Sequence, residues 1–126
     1  MKPKNPFKIF IVDDDLFCLN IYEQHLHNMG YANILLFDNG LSCLHNLTEE
    51  PDIIFLDYGM DELNGLDVLK KVKHSNPSIY VVFISAQDDI ETAVDSIKYG
   101  AFDYIVKGQN DGKKIEQVLE KIDHIK

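Results

Sequence analysis

The sequence predicts an α/β fold, a (βα)5 chain forming a three-layer sandwich around a central five-stranded parallel sheet. Two observations carry this. Five short runs rich in β-branched and aromatic residues alternate with segments of helical period. Four of the runs are also nearly continuous in apolar character, as parallel strands covered on both faces must be. Right-handed crossovers between such strands place helices on both sides of the sheet.

The first run spans residues 7–12 (FKIFIV). After it, Cys18, Ile21, Tyr22, Leu26 and Met29 recur at three- and four-residue spacing and stop at Gly30, which marks the first helix. The second run, 34–37, leads through the turn FDNG to Leu41 and Leu44, a short second helix. The third, 53–56, precedes Leu66, Leu69 and Val72, a third helix that ends before SNP. The fourth, 79–84, precedes a stripe of Ile90, Val94 and Ile97 that is capped from QDD and closed by Gly100. After the fifth, 102–106, Ile115, Val118, Leu119 and Ile122 mark a helix running to the C-terminus. No repeat, linker or low-complexity stretch interrupts the pattern, so residues 1–126 are expected to form one domain.

Composition narrows the function. The formal charge of −9 argues against broad contact with a nucleic-acid backbone, and all basic residues are lysines, so no arginine offers a bidentate phosphate or guanine contact. Direct nucleic-acid binding is therefore not expected. No apolar run approaches the length of a membrane helix, and MKPKNPFK leads into a strand without a signal-peptide hydrophobic region, which suggests a cytoplasmic protein away from membranes. Cys18 and Cys43 sit in apolar-periodic segments and read as small buried hydrophobes in a reducing compartment. His25, His27, His45, His74 and His124 read as surface histidines, since none share the spacing of a metal site.

In an open parallel sheet, ligands bind at the carboxyl ends of the strands. Four strands end there on chemically capable side chains: Asp13, Asp14 and Asp15 after the first, Asp57 after the third, Ser85 after the fourth and Lys107 after the fifth. Carboxylates from adjacent strands make a hard oxygen site suited to Mg²⁺. With a lysine and a hydroxyl added, the set describes a pocket for a phosphoryl group, in which one carboxylate can act as nucleophile. Which aspartates of the DDD run would hold the metal stays open at this level. Strand alternation pairs Asp13 with Asp15 if the strand continues that far.

The segments IVDDD, IIFLDYGMDELNGLDVL, VVFISA and GAFDYIVK, in that order, resemble the receiver domains of two-component response regulators across essentially the whole chain. The resemblance implies a flavodoxin-like sheet of order 2-1-3-4-5. It also implies that Asp57 is the phosphoacceptor, charged by a sensor histidine kinase or a histidine phosphotransfer protein. Asp14, Asp57 and the Gly59 backbone carbonyl would hold Mg²⁺ directly, and Asp13 would do so through water. Lys107 would pair with the phosphoryl oxygens, while Ser85 and Tyr104 would form the switch. The output surface implied is the fifth strand with the fourth and fifth helices, serving a downstream protein or fused effector domain. Asp15 is left as an acid in the first turn of the first helix, favoured by the helix dipole. A fifth helix without arginine favours a monomer or weak dimer.

Two positions depart from the family pattern. Asp61 stands where a proline is usual, which places another carboxylate, with Glu62, near the metal site. Gly108 follows Lys107 in place of a proline with a cis peptide bond; a non-proline cis bond costs about 2.5 to 4 kcal/mol, so a trans bond or a rearranged loop is expected. The freedom of glycine can bring the lysine back to the pocket. Asp38 begins a turn at the sheet edge, away from the pocket. Asp103 is expected to cap or pair locally, and Tyr99 and Phe102 to pack. Two further function classes remain. One is a pseudo-receiver, a phosphate-independent interaction module. The other is a Mg²⁺-dependent aspartyl phosphohydrolase of the haloacid dehalogenase type, which would need an acid at Gly59; without it only slow self-dephosphorylation is expected.

Overall fold

The computed structural model describes residues 7–60, 62–108 and 110–125. Five strands, β1 (Ile9–Val12), β2 (Ile34–Phe37), β3 (Ile53–Leu56), β4 (Tyr80–Ser85) and β5 (Asp103–Val106), form one parallel sheet in the order β2-β1-β3-β4-β5. The helices are α1 (Leu16–Asn28), α2 (Gly40–His45), α3 (Gly65–Ser75), α4 (Ile90–Lys98) and α5 (Asp111–Ile125), with a 3₁₀ turn at Leu47–Glu49. The fold is the flavodoxin-like sandwich that the sequence predicts.

Each strand feeds two cores because successive side chains point to opposite faces. On one face Ile9, Ile11, Ile53, Phe55, Val82, Ile84 and Ile105 meet Leu19, Tyr22 and Leu26 of α1 and Ile115, Val118, Leu119 and Ile122 of α5. On the other, Phe10, Val12, Ile54, Leu56, Val81 and Phe83 meet Cys43 of α2 and Val68, Leu69 and Val72 of α3. Burying strands on both sides explains why their sequences do not alternate with polar residues.

Four helices begin on a side-chain cap. Asp15, Asn39, Asn64 and Asp89 accept backbone N–H groups from Phe17 (2.9 Å), Ser42 (2.7 Å), Asp67 (2.9 Å) and Thr92 (2.7 Å). Each such cap satisfies an otherwise orphaned donor and is worth about 1 kcal/mol. Asp15 thus stands one position earlier than expected: it is the cap of α1, whose first turn carries no acid.

The structure supplies the orientation of the fourth helix, which its period left open. Its apolar stripe faces outward, with Ile90 81%, Val94 57% and Ile97 47% exposed, and the inward side offers only the small Ser96 as a buried residue. A helical period reveals a striped helix but not which side meets the sheet. Ile21 and Leu41, members of the first and second helices' apolar stripes, are also exposed.

The register makes one edge of the sheet the site. Val12 lies level with Phe37 and Leu56, and Ser85 with Val106. The ladder continues one step past the strands: the Asp13 N–H donates to Phe37 O (3.0 Å), Asp57 N–H to Val12 O (2.9 Å) and Lys107 N–H to Ser85 O (2.8 Å). These bonds hold the residues after β1, β3 and β5 at one carboxyl edge. Gly65 closes the loop after β3: its N–H donates to Tyr58 O at 2.8 Å, and a Cβ there would stand 2.6 Å from Asp57 O and 2.7 Å from the Phe83 ring. Neither neighbour can yield without moving β3 or the core. Gly65→Ala is therefore expected to lower stability by about 2 kcal/mol, as overpacking does, read as a lower urea midpoint at unchanged slope.

Candidate functional site

The structure brings Asp13, Asp14 and Asp57 together, each offering a carboxylate oxygen within 4.8 Å of the others. Asp13 and Asp57 are buried and Asp14 is exposed, so the cluster has a closed floor and an open rim. Asp13 uses both oxygens: Oδ1 accepts the Asp15 N–H at 2.9 Å, and Oδ2 lies 2.8 Å from Lys107 Nζ. The same ammonium is 3.7 Å from Asp57 Oδ1. Lys107 therefore spans from β5 across to the ends of β3 and β1. The chain turns into α1 directly after Asp14, which puts Asp13 and Asp14 in the cluster and leaves Asp15 to cap the helix.

Burial and the neighbouring charge of Asp13 push Asp57 up to about 6, against the pull of Lys107 and of the Gly59 N–H bonded to its carboxylate. Burial works against the Lys107 charge, but the hydrogen bond to Asp13 and the charges of Asp57 and Asp13 outweigh it and raise its pKa. Three carboxylates against one ammonium leave an excess of negative charge that suits a divalent cation. The donors are all hard carboxylate oxygens, so the chemistry of the set fits Mg²⁺.

The Lys107–Gly108 peptide is trans, as expected, for no cis bond occurs among the described residues. Gly108 adopts φ +138°, a conformation that strains any other residue, and through it the chain leaves β5 with Lys107 still aimed at the acids. Asp61 and Gln109 lie outside the described residues. Glu62 is exposed in a recess shared with Asp14, Asp38, Asn39 and Met60. Asp38 thus lies nearer the acidic rim than its edge strand suggested.

Ser85 is buried at the end of β4, and its Oγ accepts the Gln87 N–H at 3.1 Å. The Tyr104 hydroxyl donates to Gln87 O at 2.9 Å and also meets the Ser85 side chain. Its ring packs on Tyr58 (6.3 Å) and Phe83 (5.9 Å). Serine, tyrosine and the loop after β4 therefore form one connected unit, with Tyr58 as a member that sequence reading missed. Tyr58 follows Asp57 directly, so adjacency was the available signal. Cys18 was also misjudged: it is only half-buried and its thiol meets the Lys107 side chain. Cys43 is buried as expected. Asp103 bonds locally, to the Tyr104 N–H (2.8 Å). None of the histidines joins the acidic cluster; His27 pairs with Tyr31 O and Glu23 on its own side of α1, and only His25 is half-buried.

A parallel sheet of order 2-1-3-4-5 carrying an acidic pocket and a lysine at its carboxyl edge defines the CheY-like class of signalling domains. The chain belongs to the response regulator receiver domain family of two-component systems, whose model matches residues 9–120. It is 34% identical to the chemotaxis protein CheY of Listeria monocytogenes, covering 90% of this chain and 96% of that one. It is 38% identical to the transcriptional regulatory protein ZraR of Klebsiella oxytoca over 79% of this chain, but spans only 22% of that longer relative. Among solved structures it resembles CheY in the CheX-CheY-BeF3-Mg²⁺ complex from Borrelia burgdorferi, with TM-score 0.85 and 27% identity over 93% of this chain and 89% of that one. It also resembles the receiver domain of NtrX from Brucella abortus, with TM-score 0.83 and 30% identity over 90% and 96% of the two chains. No helix among the described residues is long and apolar enough to cross a membrane.

The raised Asp57 pKa has a sign for stability. The folded state holds this proton up to about pH 6, whereas the unfolded chain releases it near 3.8, so the folded state binds more protons between those values. Stability contributed by Asp57 is present at low pH and is lost as pH rises through about 6. With divalent ions removed, Asp57→Asn is expected to stabilise the protein at pH 7.5 by about 1–2 kcal/mol after allowance for solvent at the pocket mouth, and by much less at pH 4.5. Urea midpoints at the two pH values check this.

Proposed function

We propose that this receiver accepts a phosphoryl group on Asp57 from the phosphohistidine of a sensor kinase or phosphotransfer protein, in a reaction that requires Mg²⁺. The observation that carries the reading is the convergence of Asp57, Asp13 and Lys107. A carboxylate oxygen of Asp57 attacks phosphorus, the P–N bond breaks, and the histidine nitrogen leaves with its electron pair. Such a transfer needs positioning and charge neutralisation more than proton transfer. Mg²⁺, bound by Asp14, Asp57 and the Gly59 carbonyl and through water by Asp13, would offset the phosphoryl charge. The Borrelia relative supports this, since its complex is described with BeF3 and Mg²⁺.

Lys107 pairs with the phosphoryl oxygens once Asp57 is modified. Its 3.7 Å separation from Asp57 Oδ1 needs only a small side-chain movement. The Ser85 hydroxyl can then donate to the phosphoryl group, drawing the loop after β4 and, through Gln87, the Tyr104 hydroxyl. A bond available in only one loop arrangement shifts the population toward that arrangement. The surface that would change is β5 with α4 and α5, where Ile90, Val94 and Ile97 are exposed for a downstream protein or fused effector. Residues 1–126 act in this reading as one cytoplasmic receiver unit, monomeric or weakly dimeric.

The position of Lys107 favours this reading over a phosphate-independent module. Gly59, at the place where an aspartyl phosphohydrolase carries its acid, favours slow self-dephosphorylation over turnover of other esters. Incubation with phosphoramidate and Mg²⁺ is expected to give a phosphoryl adduct by intact mass in the wild type and none in Asp57→Asn. An adduct-free wild type would support the pseudo-receiver, and steady phosphate release from unrelated esters the phosphohydrolase. Titration calorimetry with Mg²⁺ should show binding lost in Asp14→Ala and largely kept in Asp15→Ala; the opposite result overturns the ligand assignment.

A further inference from the structure

We propose that Tyr22, acting through Asp111, is a positioning residue that holds Lys107 in the pocket and does the work that a rigid residue after the lysine would otherwise do. Lys107 is the last residue of β5's ladder, its N–H bonded to Ser85 O at 2.8 Å, and the chain bends sharply directly after it. Gly108 has φ +138° and Asn110 has φ +72°, so two residues near the lysine lie in the left-handed region. Glycine has the largest conformational freedom to lose on folding, and Gly108 is bonded directly to Lys107.

Asp111 restrains this loop from its far end. Its Oδ2 accepts the Gly108 N–H at 3.1 Å, and its own N–H donates to Gly108 O at 3.3 Å. The same Oδ2 accepts the Tyr22 hydroxyl at 2.8 Å. Tyr22 is only 4% exposed and packs in the core between α1 and the sheet, so its hydroxyl is a fixed point to which the half-exposed carboxylate is moored. Without that bond Asp111 can rotate toward solvent and release Gly108. Burial and the adjacent Asp111 carboxylate raise the Tyr22 pKa, so the hydroxyl remains a donor.

Helix α1 carries a second contact to the same lysine. Cys18 lies one turn before Tyr22, on the same side of the helix, and its thiol meets the Lys107 side chain. One face of α1 therefore meets the lysine side chain directly at residue 18 and, at residue 22, moors the carboxylate that holds the N–H of the next residue, Gly108. A merely helix-capping Asp111 would not need the tyrosine.

The inference rests on the reading of Asp57 as phosphoacceptor, and the test separates the two. In the whole chain, Tyr22→Phe and Asp111→Ala should each slow Asp57 phosphorylation by phosphoramidate about fivefold, the value of one lost hydrogen bond, with Mg²⁺ affinity little changed and the melting temperature lowered only by the few degrees that one such bond is worth. Asp111→Asn, which keeps an accepting oxygen, should recover most of the rate lost in Asp111→Ala. By NMR, the Gly108 amide should exchange faster in Tyr22→Phe and Asp111→Ala than in wild type. The proposal is overturned if Gly108 stays protected and the rates hold, or if rate, Mg²⁺ affinity and melting temperature all fall together as in a general loss of structure. If wild type itself takes no phosphoryl group, the functional reading fails, and the Gly108 amide alone then decides for or against the tether.

Discussion

Like-charge crowding at the carboxyl edge of the sheet is the constraint on which the rest of the structure turns. Asp13 and Asp57 are buried side by side with Asp14 at the rim, an arrangement that repels itself and resists desolvation. Lys107 is what makes it tolerable, at 2.8 Å from Asp13 and 3.7 Å from Asp57. Because the lysine comes from β5 and the acids from β1 and β3, the compensation depends on strand register: β1 and β3 end level at Val12 and Leu56, which stands opposite Phe83, and β4 and β5 run two residues further, to Ser85 and Val106. The ladder bonds of Asp13, Asp57 and Lys107 one step beyond their strand ends fix that register at the pocket. One ammonium leaves the cluster short of positive charge, and burial first, then the charge of Asp13, hold the pKa of Asp57 up against it. A pocket left electrostatically incomplete in this way is prepared for a cation and, with it, for an anionic ligand.

The fold was legible because its signals are local. Apolar runs without alternation identify strands buried on two faces, and the residues after four of them fall together wherever strands are parallel and level. Asp13, Asp57, Ser85 and Lys107 were therefore visible as a set before any coordinates. The order of the sheet was not written in any single segment and came from the family resemblance. The outward stripe of α4 shows what periodicity omits, since period gives the angle between residues and leaves the facing side undetermined. The assignment of Asp15 failed by one position because a cap and a first-turn acid are both favoured before the same helix.

Contacts between distant segments were the illegible part. Tyr22 and Asp111 stand 89 residues apart, and each alone fits a blander role, one as a core aromatic and the other as an acid near a helix N-terminus. Cys18 likewise reads as a small hydrophobe until the fold brings Lys107 over α1. Pairs of this kind exist only once both core faces are assembled. They leave no spacing or composition signature.

Gly108 connects these themes. A ring-constrained residue after the lysine would fix the loop through its own backbone, independently of neighbours. Glycine removes that constraint; the Lys107 N–H bond to Ser85 O and the ion pairs to the two carboxylates set the start of the loop, and the stretch beyond it is restrained from elsewhere in the molecule. The bonds from Gly108 to Asp111 and from Asp111 to Tyr22 tie that stretch to the most rigid surroundings within reach, the core under α1. Position held by side-chain hydrogen bonds is more easily released than position held by covalent geometry. The loop next to Lys107 is thereby coupled to α1 in this chain, in addition to the contacts that join Ser85 through Gln87 to Tyr104.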